Sequence, residues 1–225
     1  MAQVLILTAV TMEARAVRRA GLPATVIGIG AGRLARIAVP KGTTHVVMAG
    51  VGGAVDPSLA VGDVVTDAFV ARASRPCLGG QHGRDAHATV GRAVRHGTIH
   101  SVGRVVSTAA EKAAIFVATG AAVVDMEQAI VRQWAERLGL PVIGVRAVSD
   151  AATDAVDPAV VRFVTDVGRP RPGVIAMALL RRPGLIPQLW RLNAHTGVAL
   201  RQLAAVLPAV VRSFECSQPG PAGRR

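Results

Sequence analysis

Four residues, Val142-Ile143-Gly144-Val145, set the tightest limit on the fold. None is polar, so a strand built from them needs apolar cover on both faces, as an interior strand of an α/β sheet has. A helix precedes it. Ala129, Ile130, Trp134 and Leu138 recur at helical spacing and predict one apolar face. Gly139 stops this helix and Pro141 prevents its restart. Asp125-Met126-Glu127 open it, where carboxylates suit the positive end of the helix dipole. Ser149-Asp150 follow at the carboxyl end of the strand, the edge at which open α/β sheets hold ligands.

The N-terminal half repeats the pattern of strand, turn and helix. Val4 to Val10 is a continuous apolar run without a basic leader, so it reads as a first strand and not as a signal peptide. Thr11 is the expected N-cap of the next helix, which carries Glu13 in its first turn. Val26 to Arg33 predicts a strand entering a glycine-rich turn. Its Gly28-x-Gly30-x-Gly32 fits a dinucleotide fingerprint poorly, because the third glycine is displaced and no acid ends a second strand about twenty residues on. The turn still offers backbone N–H groups, and Arg33, to an anion or a ribose hydroxyl. His45 to Ala49 predicts a strand that breaks into Gly50-Val51-Gly52-Gly53, where something approaches the backbone closely.

Ser101 to Val106 predicts another strand, and Ser107 or Thr108 with Glu111 caps the helix after it. Ala159 to Val167 and Val174 to Leu180 predict helices, and Leu185 to Leu207 predicts one long amphipathic helix or a pair. The expected organisation is an α/β domain over residues 1–178, a basic amphipathic helical extension over 179–212 and a disordered tail over 213–225. No apolar run is read as long enough to span a bilayer.

Composition narrows the function. A net charge of +12 and a pI near 11.6 point towards anionic partners. Aromatic residues at 3%, with no Tyr, leave few stacking platforms, and the arginines are dispersed, which argues against nucleic acid. The basic C-terminal segment, with Leu185, Ile186, Leu189, Trp190 and Leu192 on its apolar face, suits an anionic membrane surface; packing on its own domain or across a dimer is the other reading. His82, His87, His96 and His100 follow no metal-ligand spacing, so no metal is expected, and the polar stretch 71–99 reads as a surface segment closing over a site. Cys77 and Cys216 make no disulfide framework, consistent with a cytoplasmic chain.

Three motifs then fall into a known order. Met12-Glu13 follow the first strand, AGVGGAVDPSLAVGDVV spans 49–65, and Met126-Glu127 precede Arg146-Ala147-Val148-Ser149-Asp150 by about twenty residues. In this order the chain resembles the purine nucleoside phosphorylase and nucleosidase superfamily. The resemblance implies a single-domain, three-layer αβα fold with a mixed central sheet and a C-terminal helical extension. It implies cleavage of an N-glycosidic bond without a cofactor, phosphate being the alternative co-substrate to water. Asp150 matches the general acid at the purine N7, and its place beside Ser149 at a shielded strand end suits a raised pKa. Glu127 matches the group gripping the ribose 2′ and 3′ hydroxyls, and Met126 the residue packing under the sugar. Glu13 resembles the acid that orients attacking water, while Arg33 would serve phosphate. The backbone of Gly50, Gly52 and Gly53 would line the nucleoside or nucleophile site. One acid protonating the leaving group and one activating water is the logic of inverting glycoside hydrolysis.

One departure refines this. Members acting on methylthioadenosine carry Ser-Gly-Asp-x-Phe where this chain has Ser107-Thr108-Ala109-Ala110-Glu111, leaving Phe116 as the nearest substitute for stacking on adenine. STAAEKAAIFVATGAAVVDME, RAVSDAATDAVDP and GLIPQLWRLNAHTGVALRQLAAVL are similar to the hopanoid-associated nucleoside phosphorylases. That resemblance implies adenine release from adenosylhopane, a lipid-linked nucleoside, at the inner face of the membrane. Two other readings stand beside it: a soluble nucleosidase for methylthioadenosine, adenosylhomocysteine or futalosine, and a non-catalytic nucleoside- or membrane-binding relative. A mean hydropathy of +0.41 suits a homo-oligomer.

Overall fold

The structure is a computed structural model that describes residues 3–67 and 94–216, with side chains up to residue 213. In chain order it places β1 (Gln3–Thr8), α1 (Thr11–Arg19), β2 (Thr25–Val26), β3 (Thr43–Ala54) and β4 (Val64–Thr66). After the gap come β5 (Val94–His96), β6 (Ile99–Ser101), α2 (Ala109–Thr119), β7 (Val123–Asp125), α3 (Gln128–Glu136), β8 (Val142–Asp150), α4 (Pro172–Arg181) and α5 (Leu185–Cys216). The sheet runs β2-β1-β3-β8-β4-β5, and β7 joins the far end of β3 and carries β6. β1, β3 and β8 are parallel, whereas β4 runs antiparallel to β8 and β7 antiparallel to β3. The sheet is therefore mixed.

Alternation along each strand builds the layers. Ile6, Val47, Ala49, Ile143 and Val145 point to one face, against Val17 of α1 and Ala199, Leu203 and Leu207 of α5. Leu5, Leu7, Val46 and Met48 point to the other, against Val131 and Ala135 of α3. With both faces covered, the continuous apolar runs of β1 and β8 are accounted for. The result is the expected αβα arrangement.

Several local expectations need correction. β3 does not break at its glycines; it stays paired with β8 as far as Gly53, shifting register once between Gly52 and Gly53. Asp125 does not open a helix but ends β7, and Glu127 is the N-cap of α3. The buried face of α3 is Gln128, Val131 and Ala135, while Ile130 and Leu138 are exposed, because that cap sets the rotation of the helix. Val10, not Thr11, caps α1, since the Glu13 carboxylate reaches back to the Val10 N–H. Residues 102–106 lie outside β6, and 159–167 make only a short 3₁₀ turn, Pro158–Phe163. The segment read as closing over the site falls largely outside the described residues.

α5 is the single-helix reading of the C-terminal segment, but longer than expected. It is one helix of 32 residues with Pro208 inside it, and its stretch Leu185–Ser213 is long and apolar enough by composition to cross a membrane. Its second half is committed elsewhere: Ala199, Leu203, Val206, Leu207, Val210 and Val211 are buried against the sheet.

Candidate active site

The carboxyl ends of β1, β3 and β8 converge on a cavity of about 550 Å³ lined by Glu13, Met126, Glu127, Gly52, Gly53 and Asp150. Such a volume is ordinary for a small-molecule site. Gly50 and Ser149 lie immediately behind this wall. Thus eight of the ten residues singled out from sequence come together, six of them on the cavity.

The glycines of β3 are there to admit the acids. A Cβ on Gly50 would stand 2.6 Å from Oε1 of Glu13, and one on Gly53 would stand 2.8 Å from Oδ2 of Asp150. A Cβ on Gly52 would meet the Val124 carbonyl at 2.8 Å. Both carboxylates therefore press directly on bare backbone, and β3 remains a strand while accommodating them.

Glu13 is held from two sides. Its Oε1 accepts the Val51 N–H at 2.9 Å and its Oε2 the Val10 N–H at 3.0 Å. Burial pushes its pKa above the ordinary value, against the opposing pull of those two bonds and of the Arg146 charge. Glu127 is raised to about 7, again chiefly by burial, with Arg146 and the Gly30 N–H acting the other way. That N–H lies 2.9 Å from Oε1 of Glu127. The glycine turn after β2 does present its backbone to an anion, but the anion is a side chain of this protein.

Arg146 organises the acids. Fully buried, it donates to Asp125 and, at 2.7 Å, to the Met48 carbonyl. Burial alone would lower its pKa; the charges of Asp125, Glu127 and Glu13 outweigh that and raise it. Asp125 is fixed in turn by Ser101 Oγ at 2.6 Å and the Gln128 N–H at 2.9 Å.

Asp150 has a charged partner that the sequence reading does not name. The ammonium of Lys112, on α2, donates to its Oδ2 at 2.5 Å and to the Ala151 carbonyl at 2.7 Å. The Ser149 hydroxyl lies 2.8 Å from Oδ1. Lys112 is fully buried and was missed, because the capping box in front of it explains the polar residues there. A signal was available: Lys41 and Lys112 are the only lysines among 26 Lys and Arg residues.

Two expected residues lie elsewhere. Arg33 is exposed and bonds Asp166 through Nε at 3.1 Å and Nη2 at 2.7 Å. Phe116 packs beside Val55, Val106, Ala121 and Val124 and does not line the cavity. Near α2 the cavity wall is instead aliphatic, with Val102, Val105 and Val106 beside Arg104, whose partner is Glu111.

The family model described as the phosphorylase superfamily matches residues 80–181, the span that carries Lys112, Asp125, Glu127, Arg146 and Asp150. Over that span the chain is similar to this superfamily. Solved structures extend the likeness over the whole fold. Futalosine hydrolase of Helicobacter pylori strain 26695 is 14% identical with a TM-score of 0.59, over 94% of this chain and 97% of that one. The 5′-methylthioadenosine/S-adenosyl homocysteine nucleosidase of Helicobacter pylori is 15% identical with a TM-score of 0.59, over 94% and 98%. The corresponding nucleosidase of Campylobacter jejuni is 17% identical with a TM-score of 0.57, over 96% and 100%. No curated protein matches the sequence. Glu13 and the β3 glycines lie outside the matched span, and the pairing of β3 with β8 brings them to it.

Proposed function

We propose that this protein hydrolyses the N-glycosidic bond of a 5′-substituted adenosine, releasing adenine, and that the 5′ substituent is large and apolar, as in adenosylhopane. The observation carrying this reading is the extent of apolar wall in the cavity that holds the acids. Beside Glu13, Glu127 and Asp150 it is lined by Val160, Phe163, Val164, Ile175, Leu189 and Leu192. A methylthio group needs only a small fraction of so much apolar wall.

Each carboxylate then has a part. Asp150 hands a proton to the purine N7 as the C1′–N9 bond breaks, and the Lys112 ammonium at 2.5 Å steadies the carboxylate this leaves. Water attacks C1′ and loses its proton to Glu13, whose burial strengthens it as a base. Glu127, ionised, accepts hydrogen bonds from the ribose 2′ and 3′ hydroxyls, with Met126 packed against the sugar. Arg33, taken up by Asp166 outside the cavity, offers no phosphate site there, which favours water over phosphate.

The test is adenine release from adenosylhopane in detergent and from methylthioadenosine, each with and without phosphate. Release from the lipid without phosphate, abolished by Asp150→Asn, is expected. Release from the soluble nucleoside alone would remove the lipid assignment, and strict phosphate dependence would remove water as nucleophile.

A further inference from the structure

α4 is an apolar helix without a core. None of its residues is buried, although its sequence is PGVIAMALLR. Ile175 lines the cavity, while Met177 and Leu180 face outwards, Leu180 with 80% of its surface exposed. The first half of α5 repeats this division. Leu189 and Leu192 line the cavity, whereas Ile186 and Trp190 face outwards, Trp190 at 78%. A helix apolar on all sides needs an apolar environment on all sides. Here one side has the cavity and the other has none within the described residues.

Charge identifies what covers it. Between Val167 and Phe214 the sequence has seven arginines and no acid. Arg169, Arg171, Arg181, Arg182 and Arg191 are exposed on or beside the two helices. Arg182 has a distant partner, Asp157 at 3.9 Å. A second copy of this face would bring like charges together, whereas anionic headgroups complement it. Exposed Trp, Leu and Ile among arginines are the residues of an interfacial helix, with the indole at headgroup level. α5 cannot cross the bilayer from this position, because its second half is packed in the protein core.

We infer that α4 and the first half of α5 form a peripheral docking surface for an anionic bilayer, placing the apolar wall of the cavity beside the membrane. This rests on the N-glycosidase reading for its purpose, but not for its test. The full chain is sedimented with vesicles of phosphatidylcholine alone and of phosphatidylcholine mixed with phosphatidylglycerol. Binding to the mixed vesicles, weakened by salt, is expected, since screening acts over about 8 Å at physiological ionic strength. The double variant Leu180→Glu/Trp190→Glu is expected to bind at least about tenfold more weakly. Neither residue lines the cavity, so methylthioadenosine turnover, where the wild type shows it, is retained. Absence of binding to the mixed vesicles, equal binding by the variant, or a wild-type dimer that the variant dissociates in place of vesicle binding would each overturn the proposal. Vesicle binding without adenine release from any nucleoside would leave the docking surface standing and remove the enzymatic reading.

Discussion

Lys112 and Asp150 meet at 2.5 Å, the lysine fully buried and the aspartate at the edge of the cavity. Lys112 itself does not line the cavity, so it acts on the substrate only through Asp150. Replacing it with Met keeps its length and removes its charge. On the proposed function, the expected result is a fall in kcat of roughly tenfold or more with little change in KM, because the carboxylate formed on Asp150 loses its cation while nucleoside contacts remain. Asp150→Asn is expected to cost about 10²–10⁴-fold in kcat. Steady-state kinetics on both variants checks this; a change confined to KM would assign Lys112 to binding.

Glu127 gives a pH dependence of defined sign. Below its ordinary pKa of 4.5 the group is protonated in folded and unfolded chains alike and has no effect on stability. Between 4.5 and about 7 the unfolded chain ionises first, so stability falls as pH rises and levels off above 7. The loss is on the order of 3 kcal/mol. Glu127→Gln should remove it, making the variant more stable than the wild type above pH 7 in urea unfolding. Nucleoside affinity should move oppositely, rising through pH 7 in the wild type only.

Gly50→Ala should disable the enzyme without filling the substrate site. The new methyl would lie 2.6 Å from a carboxylate oxygen that two backbone N–H groups hold in place, so Glu13 or β3 must move. A drop in kcat of about 10²-fold or more is expected, the scale of a lost general base. Gly173→Ala, whose methyl meets nothing within 4 Å, serves as the control and should be close to neutral.

Arg146→Met leaves Asp125, Glu13 and Glu127 without the cation they share. Breaking a buried pair from one side costs about 3–5 kcal/mol, and that loss of unfolding free energy is expected here. Arg146→Lys should recover little of it, because a single ammonium cannot reproduce the fork that reaches both Asp125 and the Met48 carbonyl.

These residues were unevenly legible in the sequence. β1 and β8 announce themselves as unbroken apolar runs, whereas α3 ends at Glu136, three residues before Gly139, whose φ of +68° turns the chain towards β8. β7 does not announce itself, since three residues followed by Met126-Glu127 resemble a helix start. The face of α3 was misread because Ile130 and Leu138 keep helical spacing with Trp134 while pointing outwards. Glu13, Glu127 and Asp150 were found through motif order, a property of the chain. Their partners Lys112 and Gly30 were not, because those contacts span 38 and 97 positions and exist only once the sheet has formed.

α5 is a beam clamped at one end. From Ala199 onward it is fixed in the core, and Leu189 and Leu192, nearer its start, form part of the cavity wall. Any bending of such a beam grows with distance from the clamp. On the proposed function, entry of a bulky chain would therefore displace the wall at Leu189 more than at Ala199, while the strands bearing Glu13 and Asp150 stay where they are. Breathing of the wall and alignment of the carboxylates are mechanically separate, so a long 5′ substituent, as proposed, would slide in without disturbing the acids.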